Sequence, residues 1–209
     1  MFTGLVANAC SVVSVDDSES VRRLNIALGE LSAGLETGAS VAINGVCLTV
    51  AMIDDGLASF DVVPATVSVT NLDSLHSGSL VNVERSLRIG DEIGGHLVSG
   101  HVCTTASVVD IELGDNRGIE FEVPIEWSRY MIAKGFIALN GVSLTLDWFD
   151  TASRRGRVNL IPETLQRTTL GGLEVGDHLN VEIDAQTLAT VNTVERYLDA
   201  RSGVAQSES

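Results

Sequence analysis

Positive charge is the first shortage. The 209 residues hold 13 Lys and Arg against 28 Asp and Glu, a formal charge of −15 and a pI near 4.4. So acidic a chain repels phosphate backbones and anionic headgroups, which excludes general nucleic-acid binding and membrane-surface binding. Aromatic residues make up only 4%, too few for an aromatic stacking platform. No apolar run approaches the roughly 20 residues that span a bilayer. The opening Met1-Phe-Thr-Gly-Leu-Val has neither the basic flank nor the apolar stretch of a signal peptide. The 3 cysteines (Cys10, Cys47, Cys103) are odd in number and widely spaced. That pattern argues against a disulfide framework or a zinc module and for reduced thiols, hence a cytoplasmic protein. No phosphate-binding Gly-rich loop and no Gly-x-Ser-x-Gly elbow occurs.

What the chain does have is a copy of itself. Ala42-Ile-Asn-Gly-Val-Cys47-Leu-Thr49 lies over Ala138-Leu-Asn-Gly-Val-Ser143-Leu-Thr145 at an offset of 96 positions. The same offset sets Gly4-Leu5-Val6 over Gly100-His101-Val102. After a slip of two residues, Pro64-Ala-Thr66, Thr70, Leu72, Gly78 and Asn82-Val-Glu84 meet Pro162-Glu-Thr164, Thr168, Leu170, Gly176 and Asn180-Val-Glu182. Copies of about 90–100 residues exceed a solenoid unit and are long enough to be domains. Residues 1–96 and 97–186 are read as two tandem domains, 187–201 as a helix and 202–209 as a frayed polar tail.

Inside each copy the pattern is β. Asn44-Gly45 between apolar runs is a hairpin signal. Ser59-Phe-Asp-Val-Val and Leu80-Val-Asn-Val-Glu alternate apolar and polar residues, as half-buried strands do. Turn residues recur about every 8–12 positions, which predicts a small barrel or sandwich per copy; Asn116-Arg-Gly and Arg154-Arg-Gly are paired turns in the second copy. Ser20 to Leu31 fits either a strand or a short helix. From Thr187 to Arg201, Leu188, Val191, Val194 and Leu198 form one helical stripe, which either folds back on its own barrel or joins copies.

His96 and His101 lie among glycines at the junction of the copies. Accessible imidazoles titrate near neutrality and suit proton transfer, although a loop pair without a role fits the same pattern. No ligand spacing completes a metal site with Cys103. Cys47 reads either as a small core thiol or as a nucleophile where the other copy offers Ser143. Likewise His101 stands where the other copy has Leu5, and Glu163 where it has Ala65. Two similar pockets with unequal ionisable groups suit a reaction that uses one substrate in two roles.

Met1-Phe-Thr-Gly-Leu-Val, Asn44-Gly-Val-Cys-Leu-Thr49, Asp91-Glu-Ile-Gly-Gly-His-Leu-Val-Ser-Gly-His101 and Ile161-Pro-Glu-Thr-Leu-Gln-Arg-Thr-Thr-Leu170 together resemble the riboflavin synthase alpha-chain family, from Met1 to about Arg201. The resemblance implies an all-β fold of two similar six-stranded Greek-key barrels, with a C-terminal helix that gathers a homotrimer. It implies dismutation of two 6,7-dimethyl-8-ribityllumazine molecules to riboflavin and 5-amino-6-ribitylaminouracil, with no metal or other cofactor. The active site is expected between the first barrel of one subunit and the second barrel of a neighbour. Carried over by position, Cys47, Ser40 and Thr49 line the first pocket. Cys47 or a water adds to the ring carbon beside the methyl, and His101, helped by His96, takes the methyl proton. Ser143, Thr145, Lys134 and a strand from Asn159 to Thr164 (Leu160, Ile161, Pro162 and Glu163 between them) hold the second lumazine. Gly4, Leu5, Val6, Gly100 and Val102 meet the pteridine edge, Leu48, Val62, Val63, Thr66 and Leu144 complete the walls, and Asp184 acts on the ribityl or pyrimidine side. The chain departs from the family at Ala65-Thr66, where Glu-Thr is usual. Some relatives bind lumazine or flavin without turnover, the alternative reading.

Overall fold

The computed structural model describes residues 1–18, 20–114 and 117–207. Asn116, one of the expected turn residues, and the end of the tail at 208–209 lie outside these. Among the described residues, twelve strands form two closed antiparallel barrels. The first contains β1 (Asn8–Asp17), β2 (Arg22–Ala27), β3 (Ser40–Ile43), β4 (Val46–Asp54), β5 (Leu57–Val62) and β6 (Leu80–Arg85), in the order β1-β2-β5-β4-β3-β6. The second repeats that order with β7 (Thr104–Glu112), β8 (Arg117–Glu122), β9 (Phe136–Leu139), β10 (Val142–Asp150), β11 (Arg155–Leu160) and β12 (His178–Ile183). Three hairpin-connected strands with a fourth returning beside the first make each barrel a Greek key. The ambiguous stretch from Ser20 to Leu31 resolves into β2 followed by a 3-10 turn at Gly29–Ser32. Short helices α1 (Pro64–Val67) and α2 (Pro162–Arg167) sit at matching places, each begun by the proline whose fixed φ suits a first helical turn.

Strand alternation sorts the side chains. In β4, Val46, Leu48 and Val50 point into the barrel, while Cys47 and Thr49 point out. Each barrel has its own apolar core, built around Leu24, Ile26 and Phe60 in the first and Ile119, Phe121 and Leu139 in the second. Bulges at Val50/Met52 and Leu146/Trp148 recur in both copies and supply the local bend that barrel closure needs.

The barrels meet at their Asn-Gly turns. Asn44 (φ 45) with Gly45 (φ 80), and Asn140 (φ 46) with Gly141 (φ 79), form the doubly left-handed turn that an Asn-Gly pair favours. The two turns lie back to back: a Cβ placed on Gly45 would sit 2.6 Å from the Gly141 nitrogen. Buried Asn82 donates from Nδ2 to the Asn140 carbonyl and accepts from the Thr169 amide, at 2.9 and 2.8 Å. Its counterpart Asn180 donates to the Asn44 carbonyl and accepts from the Asn71 amide, at 2.9 and 2.6 Å.

Helix α3 (Ala185–Ser207) follows β12 and is longer at both ends than 187–201. The Asp184 carboxylate caps it, accepting from the Thr187 amide at 2.8 Å and the Thr187 hydroxyl at 3.0 Å. Leu188 and Val191 pack on the second barrel, and the Tyr130 hydroxyl donates to Asn192 Oδ1 at 2.7 Å. Farther along the stripe, Val194, Tyr197 and Leu198 are exposed. The helix therefore folds back on the second barrel over its first turns.

Gly45→Ala should cost about 2–4 kcal/mol, since left-handed strain adds to overlap with the facing turn. Gly78→Ala, at φ 91 with open space around it, should cost only the strain of about 1–2 kcal/mol. Denaturant unfolding of the two variants should show that gap, and equal losses would mean the turns are not in close contact.

Candidate active site

On the outer wall of each barrel, an arm held by the other barrel lies across the strand that carries Cys47 or Ser143. The arm before β1 crosses to the second barrel: the Ser143 amide donates to the Gly4 carbonyl at 2.8 Å, and Val6 joins the second core. The arm before β7 crosses the opposite way. The Cys47 amide donates to the Gly100 carbonyl at 2.9 Å, and Val102 packs on the first core. Gly100 (φ 82) is required there, because a Cβ would fall 2.5 Å from Cys47 Cβ. Cys47 is thus no barrel-core residue. Its thiol lies on the outer face of β4, half-buried beneath the segment that carries exposed His101.

The second pocket has two adjoining lobes that share Ser143 and Thr164. One, about 310 Å3, is lined by Lys134, Leu144, Thr145, Asp147, Asn159 and Ile161. The other, about 270 Å3, is lined by Gly4, Leu5, Val6, Val142, Glu163, Arg167 and Thr168. Lys134 pairs with Asp147, and Arg167 with Glu163. The Lys134 ammonium, with Asn159 second, holds the Asp147 carboxyl below the usual range.

His96 sits here. Its Nδ1 is 2.7 Å from Ser143 Oγ, and its ring stacks on Phe136 with centroids 5.0 Å apart and planes 12° apart. Only 7% exposed, the ring is pushed toward its neutral form by desolvation, against the opposing pull of Asp184 and Glu182. His96 thus belongs with Ser143 at the second barrel, and exposed His101 lies on the arm that crosses to Cys47.

Other expected site residues also move. Val62 and Leu160, each 1% exposed, face the cores with Leu48 and Leu144, leaving only their backbones to a ligand. No strand runs from Asn159 to Thr164. β11 ends at Leu160, Ile161 is extended, and Pro162, Glu163 and Thr164 belong to α2, since a proline amide cannot continue the ladder. Ser40 lies across from Thr49 on β3, half-buried, where the second barrel has Phe136 across from Thr145. Val63 is exposed and Thr66 half-buried at α1. Asp184 is first of all a helix cap. Residues missed in the sequence include Phe136, Asp147, Arg167 and Asp61, the last paired with Arg23 at 2.6 Å where the second barrel has Asn159. Val69 stands in the place of Arg167, as Ala65 does for Glu163, so the first barrel lacks both members of that ion pair and keeps no unbalanced charge there.

Among the described residues, no group of three or more His, Cys, Asp or Glu is placed to hold a metal ion. Among the same residues, no helix is long and apolar enough to cross a membrane.

Paired barrels on one frame, the second with a ligand-sized pocket on its outer wall, define a duplicated module, and comparison with known proteins identifies it. The model of the lumazine binding domain matches twice, over residues 3–86 and 99–184, and the chain belongs to that family. Riboflavin synthase of Escherichia coli (strain K12) is 48% identical over 204 residues, covering 96% of this chain and 95% of its own. That of Chlamydia muridarum is 38% identical over 206 residues, covering 97% and 100%. Among solved structures, LumP complexed with riboflavin superposes with a TM-score of 0.82 at 26% identity, covering 88% of this chain and 100% of LumP. LumP complexed with 6,7-dimethyl-8-(1'-D-ribityl) lumazine gives 0.79 at 25% identity.

A buried neutral His96 has a pH consequence. Its folded pKa lies below the ordinary 6.5, so protonation opposes folding. The stability it confers is complete above about pH 6.5 and is lost as pH falls through the lower folded value. Thermal unfolding followed from about pH 7.5 to about pH 5 should decline, and His96→Gln should flatten that decline. A slope that survives the substitution would remove His96 as its source.

Proposed function

We propose that this chain is a riboflavin synthase, converting two 6,7-dimethyl-8-ribityllumazine molecules to riboflavin and 5-amino-6-ribitylaminouracil by moving a four-carbon unit from one to the other. The observation that carries this reading is substantial identity with riboflavin synthases along nearly the whole chain, joined to unlike side chains, Cys47 and Ser143, at matching places on one repeated frame. A dismutation needs two bound copies of one substrate in two chemical roles, and unequal equipment on equal frames provides for that.

In the first pocket, the Cys47 thiol or a water it orients adds to the ring carbon beside the acidic methyl, and His101 takes the methyl proton. Ser40 and Thr49 flank that thiol. In the second, Ser143 is held by His96, and Thr145, Asn159 and the Lys134–Asp147 pair offer polar contacts to the ribityl chain and ring. Gly4, Leu5 and Val6 border the pteridine edge there, as Gly100 and Val102 do in the first pocket. The free oxygen of Asp184 reaches toward the ribityl or pyrimidine side. No metal or other cofactor takes part.

A homotrimer fits the exposed Val194, Tyr197 and Leu198 on α3 and the apolar Leu5, Phe136 and Ile161 at the mouth of the second pocket. The first barrel of one subunit would then face the second barrel of the next. Three widely spaced free thiols accord with a reducing cytoplasm.

Incubation with the lumazine should yield one riboflavin for every two lumazines consumed. His101→Gln should lower turnover by about 100-fold or more, and Cys47→Ser should lower it as well. Saturable lumazine binding with no riboflavin would identify a binding protein instead. Unchanged turnover in either variant would remove that residue's role.

A further inference from the structure

The last strand of each barrel carries, one residue before its end, a buried carboxylate for which the chemistry above has no use. Glu182 on β12 is 6% exposed and Glu84 on β6 is 7% exposed. Burying a carboxylate is costly unless donors satisfy it. Glu182 takes three donors from one dipeptide: its Oε1 accepts from the Ser99 amide at 2.7 Å and the Ser99 hydroxyl at 2.6 Å, and its Oε2 accepts from the Gly100 amide at 2.9 Å. Glu84 repeats the arrangement on the other arm. It accepts from the Thr3 amide at 2.6 Å, the Thr3 hydroxyl at 2.7 Å and the Gly4 amide at 3.0 Å.

The strands do not need these side chains in order to pair. β12 is held to β7 and β9 through its main chain, as β6 is to β1 and β3. What the carboxylates hold is the arm that crosses to the other barrel. Once Glu182 has fixed the Ser99–Gly100 amides, the next carbonyl, of Gly100, receives the Cys47 amide, and the next residue is His101. Glu84 fixes Thr3–Gly4 in the same way, and the Gly4 carbonyl receives the Ser143 amide.

We propose that the two sites are cross-wired: Glu182, a residue of the second barrel, is the positioning residue that sets His101 over Cys47 in the first pocket, and Glu84, a residue of the first barrel, sets the Gly4–Val6 edge against Ser143 in the second. Each pocket takes its nucleophile or hydroxyl from one barrel and the placement of its arm from a carboxylate on the other. Gln cannot replace either residue, because its amide nitrogen would face a backbone N–H, donor against donor. Asp keeps both acceptor oxygens on a shorter stem and restores part of the function.

The inference deepens the riboflavin synthase reading and rests on it only for the turnover measurement. The direct readout is independent of activity: the rate at which iodoacetamide alkylates Cys47 in the full-length protein, followed by peptide mass mapping, in wild type, Glu182→Gln, Glu182→Asp and Glu84→Gln. In Glu182→Gln, Cys47 should react about threefold faster or more as the arm lifts. Its kcat should fall about tenfold or more while KM holds within about twofold. Glu182→Asp should lie between Glu182→Gln and wild type. Glu84→Gln should leave the Cys47 rate within about twofold of wild type, since that carboxylate serves the other pocket. Equal Cys47 rates in Glu182→Gln and wild type would overturn the proposal, as would equal acceleration by Glu84→Gln, which would mean general loosening. If Glu182→Gln loses its cooperative thermal transition, Ser99→Ala decides the matter. It removes one donor and spares the carboxylate, and it must speed Cys47 alkylation for the proposal to stand. A wild-type protein that turns over no lumazine would sink the enzymatic reading and leave the alkylation comparison intact.

Discussion

Two Asn-Gly turns pressed back to back at the centre of the molecule determine what each barrel can offer the other. At that separation no side chain fits between Gly45 and Gly141, and the peptide groups of the turns must find partners without water. Asn82 and Asn180 provide them, each spanning from one barrel to the turn of the other. Amide side chains suit the task because they donate and accept at once and carry no charge into the seam. With the turns locked, β4 and β10 are brought to the point where the opposite arms cross, and the arms have one place to lie.

The crossed arms explain why two pockets on one frame are chemically unlike. A residue on an arm belongs to one barrel by sequence and to the other barrel's pocket by position. His101 therefore follows the glycine that receives the Cys47 amide, and Leu5 lies beside Ser143. His96, five residues before His101, reaches the other pocket and stacks on Phe136, which has replaced the smaller Ser40 of the first copy. The first-pocket rim is also stripped of the ion pair that Glu163 and Arg167 make at the second. One wall presents a thiol, and the other a hydroxyl held by an imidazole and bordered by paired charges.

Most of the fold was legible because duplication and turn chemistry are local signals. The Asn44-Gly45 and Asn140-Gly141 pairs, the alternation through Leu80–Arg85 and the matching prolines at 64 and 162 each announce an element without long-range information. The site was legible as residue types and less so as geometry. Sequence shows that Cys47 and Ser143 correspond but not that both face outward, since an alternating strand has two faces and only packing chooses between them. Proximity in sequence joins His96 to His101, and nothing local reveals that His96 turns to Ser143. Asp184 looked like a free acid, although Asp184-Ala-Gln-Thr187 before an apolar helical stripe has the spacing of a cap. Glu84 and Glu182 stood in plain view within the repeated Asn-Val-Glu, and only their burial beneath the opposite arms gives them meaning.

The exchange of arms also bears on how such a chain could arise. An undoubled unit, with one arm and one barrel, would find the acceptor for its arm only on another molecule, and its Asn-Gly turn would need that molecule's turn to close against. Such a unit can satisfy its contacts only as a two-fold symmetric pair, in which any change in one pocket is imposed on the other. Joining two units in one chain makes the encounter intramolecular, so the pairing no longer depends on concentration. It also breaks the symmetry. Cysteine can then be kept in one half and serine in the other, and a single gene can hold two different answers to the same binding problem.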